Sequence, residues 1–297
     1  MTREIRTGSL QMIAAMLISG TIGALVVFSQ QPIANVVFWR CVFATLALFI
    51  MGMISGNWRS HLNRKVVFIA ALGGVALVVN WLLLFAAYSR TSIGLATVLY
   101  NTQPLMLVVM GVFILKERVS RSRWLWLGAS FVGMLLVLSS GLNHSGNSGW
   151  LLGIVMALGA ALFYALTALI TRQLKGVPPQ QIALVQVAVG TILLLPLVDF
   201  QQPMTLTHWG IVAMLGILHT GVMYQLLYGA IQKLPTSVTA SLSFIYPIVA
   251  VVVDRFAFNH SMSPIQFVGG AMILLAAAGI NLGWGEKRRS KTVLAKG

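Results

Sequence analysis

Charged residues are scarce in this 297-residue chain, and acidic ones are especially few. Asp, Glu, Lys and Arg make up 8% of the residues, only five residues are acidic, and 58% are hydrophobic. A soluble domain carries about 25% charged residues, so the composition excludes an ordinary soluble protein and indicates an integral membrane protein. An outer-membrane barrel would show strands of about ten residues with alternating polarity, whereas apolar runs of helix length recur along this chain.

Patterns for disulfides, metals and catalysis are equally sparse. Cys41 is the only cysteine, so the chain has no disulfide framework and no thiolate metal site. The five histidines are isolated, and the sequence contains no HExxH, GxSxG or Walker pattern and no paired carboxylates. We therefore expect no enzyme activity, no metal and no cofactor. The net charge of +15 does not indicate nucleic acid, because the basic residues lie between apolar runs.

Ten apolar runs predict ten membrane helices, because a hydrocarbon layer of about 30 Å requires about 20 helical residues. We place these spans at about residues 8–28, 33–54, 66–88, 93–115, 124–140, 150–171, 180–199, 208–231, 236–257 and 265–284. The first run follows Arg3 and Arg6, but it is longer than the apolar region of a signal peptide and lacks an A-x-A cleavage pattern. We expect it to be retained as the first span.

The basic residues predict the orientation. Of 20 Lys and Arg residues, Arg90 and Arg255 fall in the outer loops if both termini are cytoplasmic, Arg40 falls inside a span, and the other 17 fall on the inner side. This split follows the positive-inside rule and predicts a multi-pass protein of the inner membrane. Residues 286–297 form a basic tail, which we expect to be cytoplasmic and to contact anionic lipid.

The two halves of the chain resemble each other. Residues 83–104 and 226–247 align without a gap at five identical positions, which include Leu99 with Leu242 and Pro104 with Pro247. Residues 32–48 and 178–194 also align, with Arg40 opposite Gln186. We predict an all-α integral membrane fold of two inverted five-helix repeats, residues 1–142 and 148–285, which is a recurrent transporter design. Chance similarity between apolar helices is the alternative.

The chain resembles the drug/metabolite transporter superfamily, in its ten-helix EamA-type branch. The resemblance rests on Phe38-Trp39-Arg40, Ala86-Ala87-Tyr88, Tyr100-Asn101-Thr102-Gln103-Pro104, Lys116-Glu117, Tyr228-Gly229-Ala230 and Ile245-Tyr246-Pro247. It implies movement of small metabolites, often amino acids or drugs, through a central cavity. The chain departs from the family pattern at Ser19-Gly20 and at His260, so a role of those two motifs is not carried over. It also departs at Gln186, the counterpart of Arg40 in the second half.

Arg40 is the most conspicuous polar residue within a span, about seven residues or 10 Å below the outer surface. It either faces the cavity and attracts a carboxylate or another anion, or extends to the lipid headgroups, or pairs with backbone carbonyls between helices. Aromatic residues at helical spacing line one face of the third span and the matching face of the eighth: Trp81, Phe85 and Tyr88, and Tyr224 and Tyr228. These faces line the cavity or form a packing seam.

Two prolines at midplane depth predict helix breaks. We expect Pro104 and Pro247 either to be structural kinks or to open their helices for substrate contact and gating. Polar or aromatic candidates for the cavity surround them or occur in neighbouring spans: Asn80, Tyr100, Asn101, Gln103, Gln186, Ser243 and Tyr246. His219 is a weaker candidate, and coupling to an ion through water, His219 or Asp254 is left open.

These observations predict a secondary transporter that exports small organic metabolites, such as amino acids, by alternating access. The expected partners are a small-molecule substrate and the lipid bilayer, without nucleic acid, and the sequence leaves monomer and dimer open. Two rivals remain: an efflux carrier for lipophilic cationic drugs, and a membrane scaffold without transport activity.

Overall fold

A computed structural model describes residues 3–54, 56, 61–88, 90–91, 96, 99–137, 149–258 and 263–285. Every regular element within these ranges is helical. The basic tail at 286–297 and most of the polar joint at 143–149 lie outside them. The side chains of Tyr88 and Asp254 also lie outside the described part of the structure.

The described residues form a series of helices. In chain order they are α1 (Arg3–Gly20), α2 (Ile22–Ser29), α3 (Ile33–Ile54), α4 (Arg64–Tyr88), α5 (Gln103–Phe113), α6 (Arg121–Val137), α7 (Trp150–Gln173), α8 (Pro179–Leu194), α9 (Leu206–Gly216), α10 (Met223–Lys233), α11 (Thr236–Ser243), α12 (Ile245–Phe258) and α13 (Pro264–Leu282). A turn of 3-10 helix, Leu195–Leu197, extends α8, and a π-helical turn, Ile217–Val222, joins α9 to α10.

Eight helical stretches of the described residues are long and apolar enough to cross a membrane. The fourth and fifth predicted spans do not reach that length there, since α5 has 11 residues and α6 has 17. Parts of both predicted spans, residues 93–95, 97–98 and 138–140, fall outside the described ranges. Large apolar side chains such as Leu125, Leu151 and Phe256 are exposed on the outside of the bundle. Lipid solvates such a surface, and water does not.

Several long helices are interrupted within the bundle. The first breaks at Thr21, between α1 and α2, beside Gly20. A Cβ at Gly20 would lie 2.4 Å from Cγ1 of Val249, so glycine allows α1 and α12 to approach closely. The ninth predicted span breaks at Phe244, three residues before Pro247. Each break leaves backbone groups that side chains can bond inside the membrane.

The helices pack in pairs, and the set of pairs is unchanged when the two halves of the chain are exchanged. Helix α4 packs along α7, and α1 packs along α10. Helix α6 packs on α13, α3 on α8, and α5 on α11. When the first five predicted spans are exchanged with the last five, the pair α4–α7 becomes α10–α1, and each of the other three pairs maps onto itself.

Glycine permits the closest of these contacts. A Cβ built at Gly133 of α6 would lie 2.7 Å from the Gly269 carbonyl oxygen, and one built at Gly269 of α13 would lie 2.5 Å from the Gly133 oxygen. Both distances are shorter than any real Cβ contact, so the α6–α13 interface requires glycine on both sides. Small residues of this kind drive helix association in membranes, where apolar burial gives little net force.

Candidate functional site

Arg40 lies buried inside the bundle, with 6% of its surface exposed. Its Nε donates a hydrogen bond to Thr220 Oγ1, and its guanidinium carbon lies 5.0 Å from the centroid of the Trp81 ring. Among the described residues, neither terminal amino group of Arg40 has a hydrogen bond or an ion pair. The arginine is therefore fixed at one edge and stacked on an aromatic face. Its other donors remain available to a ligand.

The π turn brings Thr220 to Arg40. A π turn widens the helix, so that some carbonyls bond to groups five residues later in the chain. The Thr220 hydroxyl donates to the Leu215 carbonyl at 2.9 Å and also accepts from Arg40. A Cβ at Gly216 would lie 2.9 Å from the Arg40 carbonyl oxygen, so glycine lets this helix rest on the backbone of α3 at the level of Arg40.

Five of the six tyrosines of the chain form a cluster around the bundle centre. The rings of Tyr100 and Tyr164 meet edge to face with centroids 6.0 Å apart, and those of Tyr224 and Tyr228 do so at 5.1 Å. Tyr246 lies within electrostatic range of Tyr100 and Tyr164. We call these residues the tyrosine cluster. It draws on both halves of the chain and offers faces and hydroxyls to an organic molecule.

The tyrosine cluster reaches Arg40 through Tyr224, which lies within electrostatic range of it. At its other side, the Tyr228 hydroxyl donates to Oε1 of the buried Gln186. Asn80 is fully buried and donates through Nδ2 to the Ala160 carbonyl at 2.7 Å. Within the described residues, Oδ1 of Asn80 and Nε2 of Gln186 have no hydrogen-bond partner.

The helix interruptions adjoin the tyrosine cluster. Before Pro104, the Thr102 hydroxyl donates to the Leu99 carbonyl at 2.7 Å and closes a turn that ends at the start of α5. Near Pro247, the Ser243 hydroxyl donates to the Thr239 carbonyl at 2.9 Å and so is bonded to its own helix. The helix interruption in each half of the chain thus lies next to the tyrosine cluster.

His219 belongs to the π turn and is almost completely buried. Its Nε2 lies 2.7 Å from Thr21 Oγ1, at the break between α1 and α2. Its Nδ1 lies 3.3 Å from the Met214 carbonyl oxygen. The π turn therefore connects α3, through Arg40, with the interruption of the first helix.

A polar network around Glu117 and Arg172 joins helices at one end of the bundle. Oε1 of Glu117 lies 2.5 Å from Arg172, and its Oε2 accepts from the backbone nitrogen of Thr236 at 3.1 Å and from its hydroxyl at 2.6 Å. Arg172 also donates to the carbonyls of Ile231, at 2.9 Å, and Leu234. One carboxylate from the first half thus binds α7 and the start of α11.

Next to this network is a cleft of about 460 Å³. Its charged lining comes from Glu4, Lys175 and Lys233 besides the ion pair, and Lys233 donates to Gln11 at 2.7 Å. The cleft lies at the end of the bundle that the sequence predicts to be cytoplasmic.

The structure brings most of the predicted cavity residues together, but not all. Arg40 and Trp81 contact each other, and Asn80, Tyr100, Gln186, Tyr224, Tyr228 and Tyr246 lie in or beside the tyrosine cluster. Asn101 and Gln103 are buried beside the break before Pro104, and Phe85 packs against the hydrophobic core. The prediction for the Tyr88 side chain falls outside the described part.

Three residues of the site escaped the sequence analysis. Tyr164 is a tyrosine in the middle of an apolar span, a signal that could have been noticed. Thr220 and Thr21 gave no signal, because threonine is common in membrane helices and the π turn has no sequence pattern that distinguishes it from an ordinary helix. Their roles follow from contacts between distant parts of the chain.

Comparison with known proteins supports a family assignment. The model of the EamA-like transporter family matches residues 6–139 and again residues 151–282. The uncharacterized transporter YxxF of Bacillus subtilis (strain 168) is 30% identical over 301 aligned positions, which cover 100% of this chain and 95% of that protein.

A more distant relative has a named cargo. The pseudopaline exporter CntI of Pseudomonas aeruginosa is 25% identical over 63% of this chain and 64% of its own length. A solved crystal structure shares the fold with a TM-score of 0.82, at 18% identity, over 96% of this chain and 98% of the other. On the two matches of the family model and the 30%-identical relative, the chain belongs to the EamA-like transporter family.

Proposed function

We propose that the protein is a secondary transporter of the inner membrane that exports small organic metabolites, amino acids or similar zwitterions, by alternating access. The observation that carries this proposal is Arg40. Its guanidinium is buried, oriented by Thr220 and Trp81, and within electrostatic range of Tyr224, yet among the described residues it has no carboxylate partner. A carboxylate of the substrate would be that partner.

Burial makes Arg40 an expensive residue unless it has such a role. A charged side chain within a membrane is costly, about 2.5–3.5 kcal/mol at the helix centre on translocon-insertion scales. One hydrogen bond and one cation–π contact offset part of this cost. A carboxylate bound to two parallel N–H groups adds a charge-assisted pair with defined geometry. The rings of the tyrosine cluster would then contact the organic remainder of the substrate.

The pairing of the helices supports two inverted repeats and hence alternating access. The pairs α4–α7 and α1–α10 exchange when the halves are exchanged, and the family model matches each half separately. A transporter of this kind moves one half against the other around a site at their interface. The tyrosine cluster takes members from both halves, as this mechanism requires.

Ten spans with cytoplasmic ends are also part of the proposal. The distribution of Lys and Arg favours this orientation, and α5 and α6 would be the fourth and fifth spans. Reporter fusions at the loop near Arg90 and at the loop before Arg121 check it. An outer location of the first and an inner location of the second are expected.

Flux measurements with the purified chain in liposomes test the substrate class. Radiolabelled amino acids and their decarboxylated analogues are compared in the wild type, Arg40→Met, Arg40→Lys and the exposed control Arg118→Met. We expect amino-acid flux in the wild type and in Arg118→Met, and a loss of about 10–100-fold in Arg40→Met, because a charge-assisted hydrogen bond contributes about 1.5–3 kcal/mol. Arg40→Lys keeps the charge but loses the fork geometry, so an intermediate loss is expected.

The rival is efflux of lipophilic cations, which the tyrosine faces favour and the charge of Arg40 opposes. The same vesicles test it with ethidium. Ethidium flux without flux of any amino acid would replace our proposal with the rival. Full activity of Arg40→Met would remove Arg40 from the site.

A further inference from the structure

The hydrogen-bond partners of His219 satisfy its ring whether the ring is neutral or protonated. The Met214 carbonyl next to Nδ1 is an acceptor only, so Nδ1 carries a hydrogen in both states. Thr21 Oγ1 lies 2.7 Å from Nε2 and 2.8 Å from the Ile18 carbonyl oxygen. A hydroxyl both donates and accepts, so Thr21 can serve either form of the ring.

The hydrogens can be counted in each state. In the neutral ring, the Thr21 hydroxyl donates to Nε2. When a proton binds to Nε2, the new N–H donates to Thr21 Oγ1, and the hydroxyl hydrogen turns to the Ile18 carbonyl. No hydrogen bond is lost on protonation, and the proton stays on Nε2 of His219, next to the break between α1 and α2. A histidine with a merely structural role needs only one of these arrangements.

His219 is also joined to the anchor of the substrate. Thr220, the next residue of the π turn, holds Nε of Arg40, and the charge of Arg40 lies within electrostatic range of the His219 ring. The other helices that pack on the π turn, α1, α9 and α10, have their charged residues and His208 at the ends far from it. Burial of the ring is the main factor that opposes protonation of His219, and among the described residues Arg40 is the charge that adds to it.

We propose that His219 is a proton-binding site of the carrier, and that a proton and the carboxylate of the substrate bind cooperatively. The inference rests on the proposed function, because it needs a carboxylate at Arg40. That carboxylate neutralises the guanidinium and removes the repulsion that an imidazolium would meet. By reciprocity, a proton on His219 raises the affinity for the carboxylate by the same factor.

A proton that binds with the substrate travels with it. The net direction of transport is then set by the sum of the substrate and proton gradients. Outward flux against an inward proton gradient requires a larger outward gradient of substrate, as when a metabolite accumulates in the cell.

The test uses the purified full chain in liposomes loaded with the pH dye pyranine, with an equimolar mixture of the twenty standard L-amino acids added outside. Radiolabel uptake and internal pH are recorded at external pH 5.5 and 7.5. We expect the wild type to acidify the interior as label enters, and its half-saturating concentration to rise at least about fivefold at the higher pH, the lower end of usual coupling.

Two pairs of variants separate a proton site from a packing role. His219→Asn and His219→Gln keep a hydrogen-bonding amide and should carry label with no acidification and no pH dependence. Thr21→Val removes the partner of Nε2 and should weaken both effects, whereas Thr21→Ser should match the wild type. Label uptake with acidification in both His219 variants would overturn the inference.

The two proposals fail in different ways. Label uptake by the wild type without acidification refutes the proton site and leaves the proposed function intact. No uptake of any label by a folded wild-type protein refutes the proposed function, and the proton coupling with it.

Discussion

The network around Glu117 should hold one end of the bundle closed, and removing its charge should open that end. Glu117→Gln keeps the shape of the side chain but removes the ion pair with Arg172, whose nitrogen is 2.5 Å away. It also weakens the two bonds to Thr236, at 3.1 and 2.6 Å, because an amide oxygen accepts less strongly than a carboxylate.

The magnitude follows from distance and exposure. Two unit charges about 4 Å apart attract by about 4 kcal/mol at an effective dielectric constant of about 20. The side chains are 21% and 18% exposed, so desolvation and screening reduce the net value. We expect a coupling of about 1–3 kcal/mol, which is a factor of roughly 5–150 in the opening equilibrium.

Thiol labelling measures this opening. Leu234 is fully buried, lines the cleft and contacts the network through its carbonyl, so Leu234→Cys in a Cys41→Ala background places a reporter there. A membrane-impermeant maleimide should label the reporter faster in Glu117→Gln, in Arg172→Met and in the double variant, with the double variant close to either single one.

The double variant shows whether the effects of Glu117→Gln and Arg172→Met on the labelling rate are additive. If the two side chains act as one pair, the double-mutant cycle returns the coupling energy above. Labelling rates within twofold of the parent in both single variants, or fully additive effects in the double variant, would refute the reasoning.

The remaining predictions concern the anchor and the helix packing. Thr220→Val removes the hydroxyl that holds Arg40 and should raise the half-saturating concentration for amino acids about 10-fold in the liposome assay, whereas Thr220→Ser should restore it; equal values for both variants would remove Thr220 from the anchor. Gly133→Ala places a Cβ 2.7 Å from the Gly269 carbonyl oxygen and should destabilise the protein by about 1–3 kcal/mol, measured as a lower unfolding temperature in detergent. Gly128→Ala, in the same helix with open space around it, is the control and should leave that temperature unchanged or raise it; an equal fall in both variants would attribute the effect to the helix rather than to the contact.

Local patterns predicted much of the fold. The bounds of the second predicted span, residues 33–54, match α3, and several others differ by a few residues, because hydropathy along one helix is a property of neighbouring residues. The fourth and fifth spans were harder to predict. Polar residues precede α5, Pro104 is its second residue, and arginines lie at the start of α6, so polar residues or proline interrupt or border both apolar runs.

The candidate site was only partly predictable. Aromatic residues at helical spacing indicated the faces that carry Trp81 and Tyr224, since spacing along a helix decides which side chains share a face. Tyr164 could not be joined to Tyr100 in this way, because the two lie on different helices and meet only through packing.

The sequence by itself determined that this is a membrane protein with a duplicated pattern and one arginine inside a span. These are consequences of composition, hydropathy and order along the chain. Only the tertiary structure decided what surrounds that arginine. The π turn forms where Gly216 lets its helix rest on α3, and this contact between distant residues, absent from any local pattern, places Thr220 on Arg40 and His219 on Thr21.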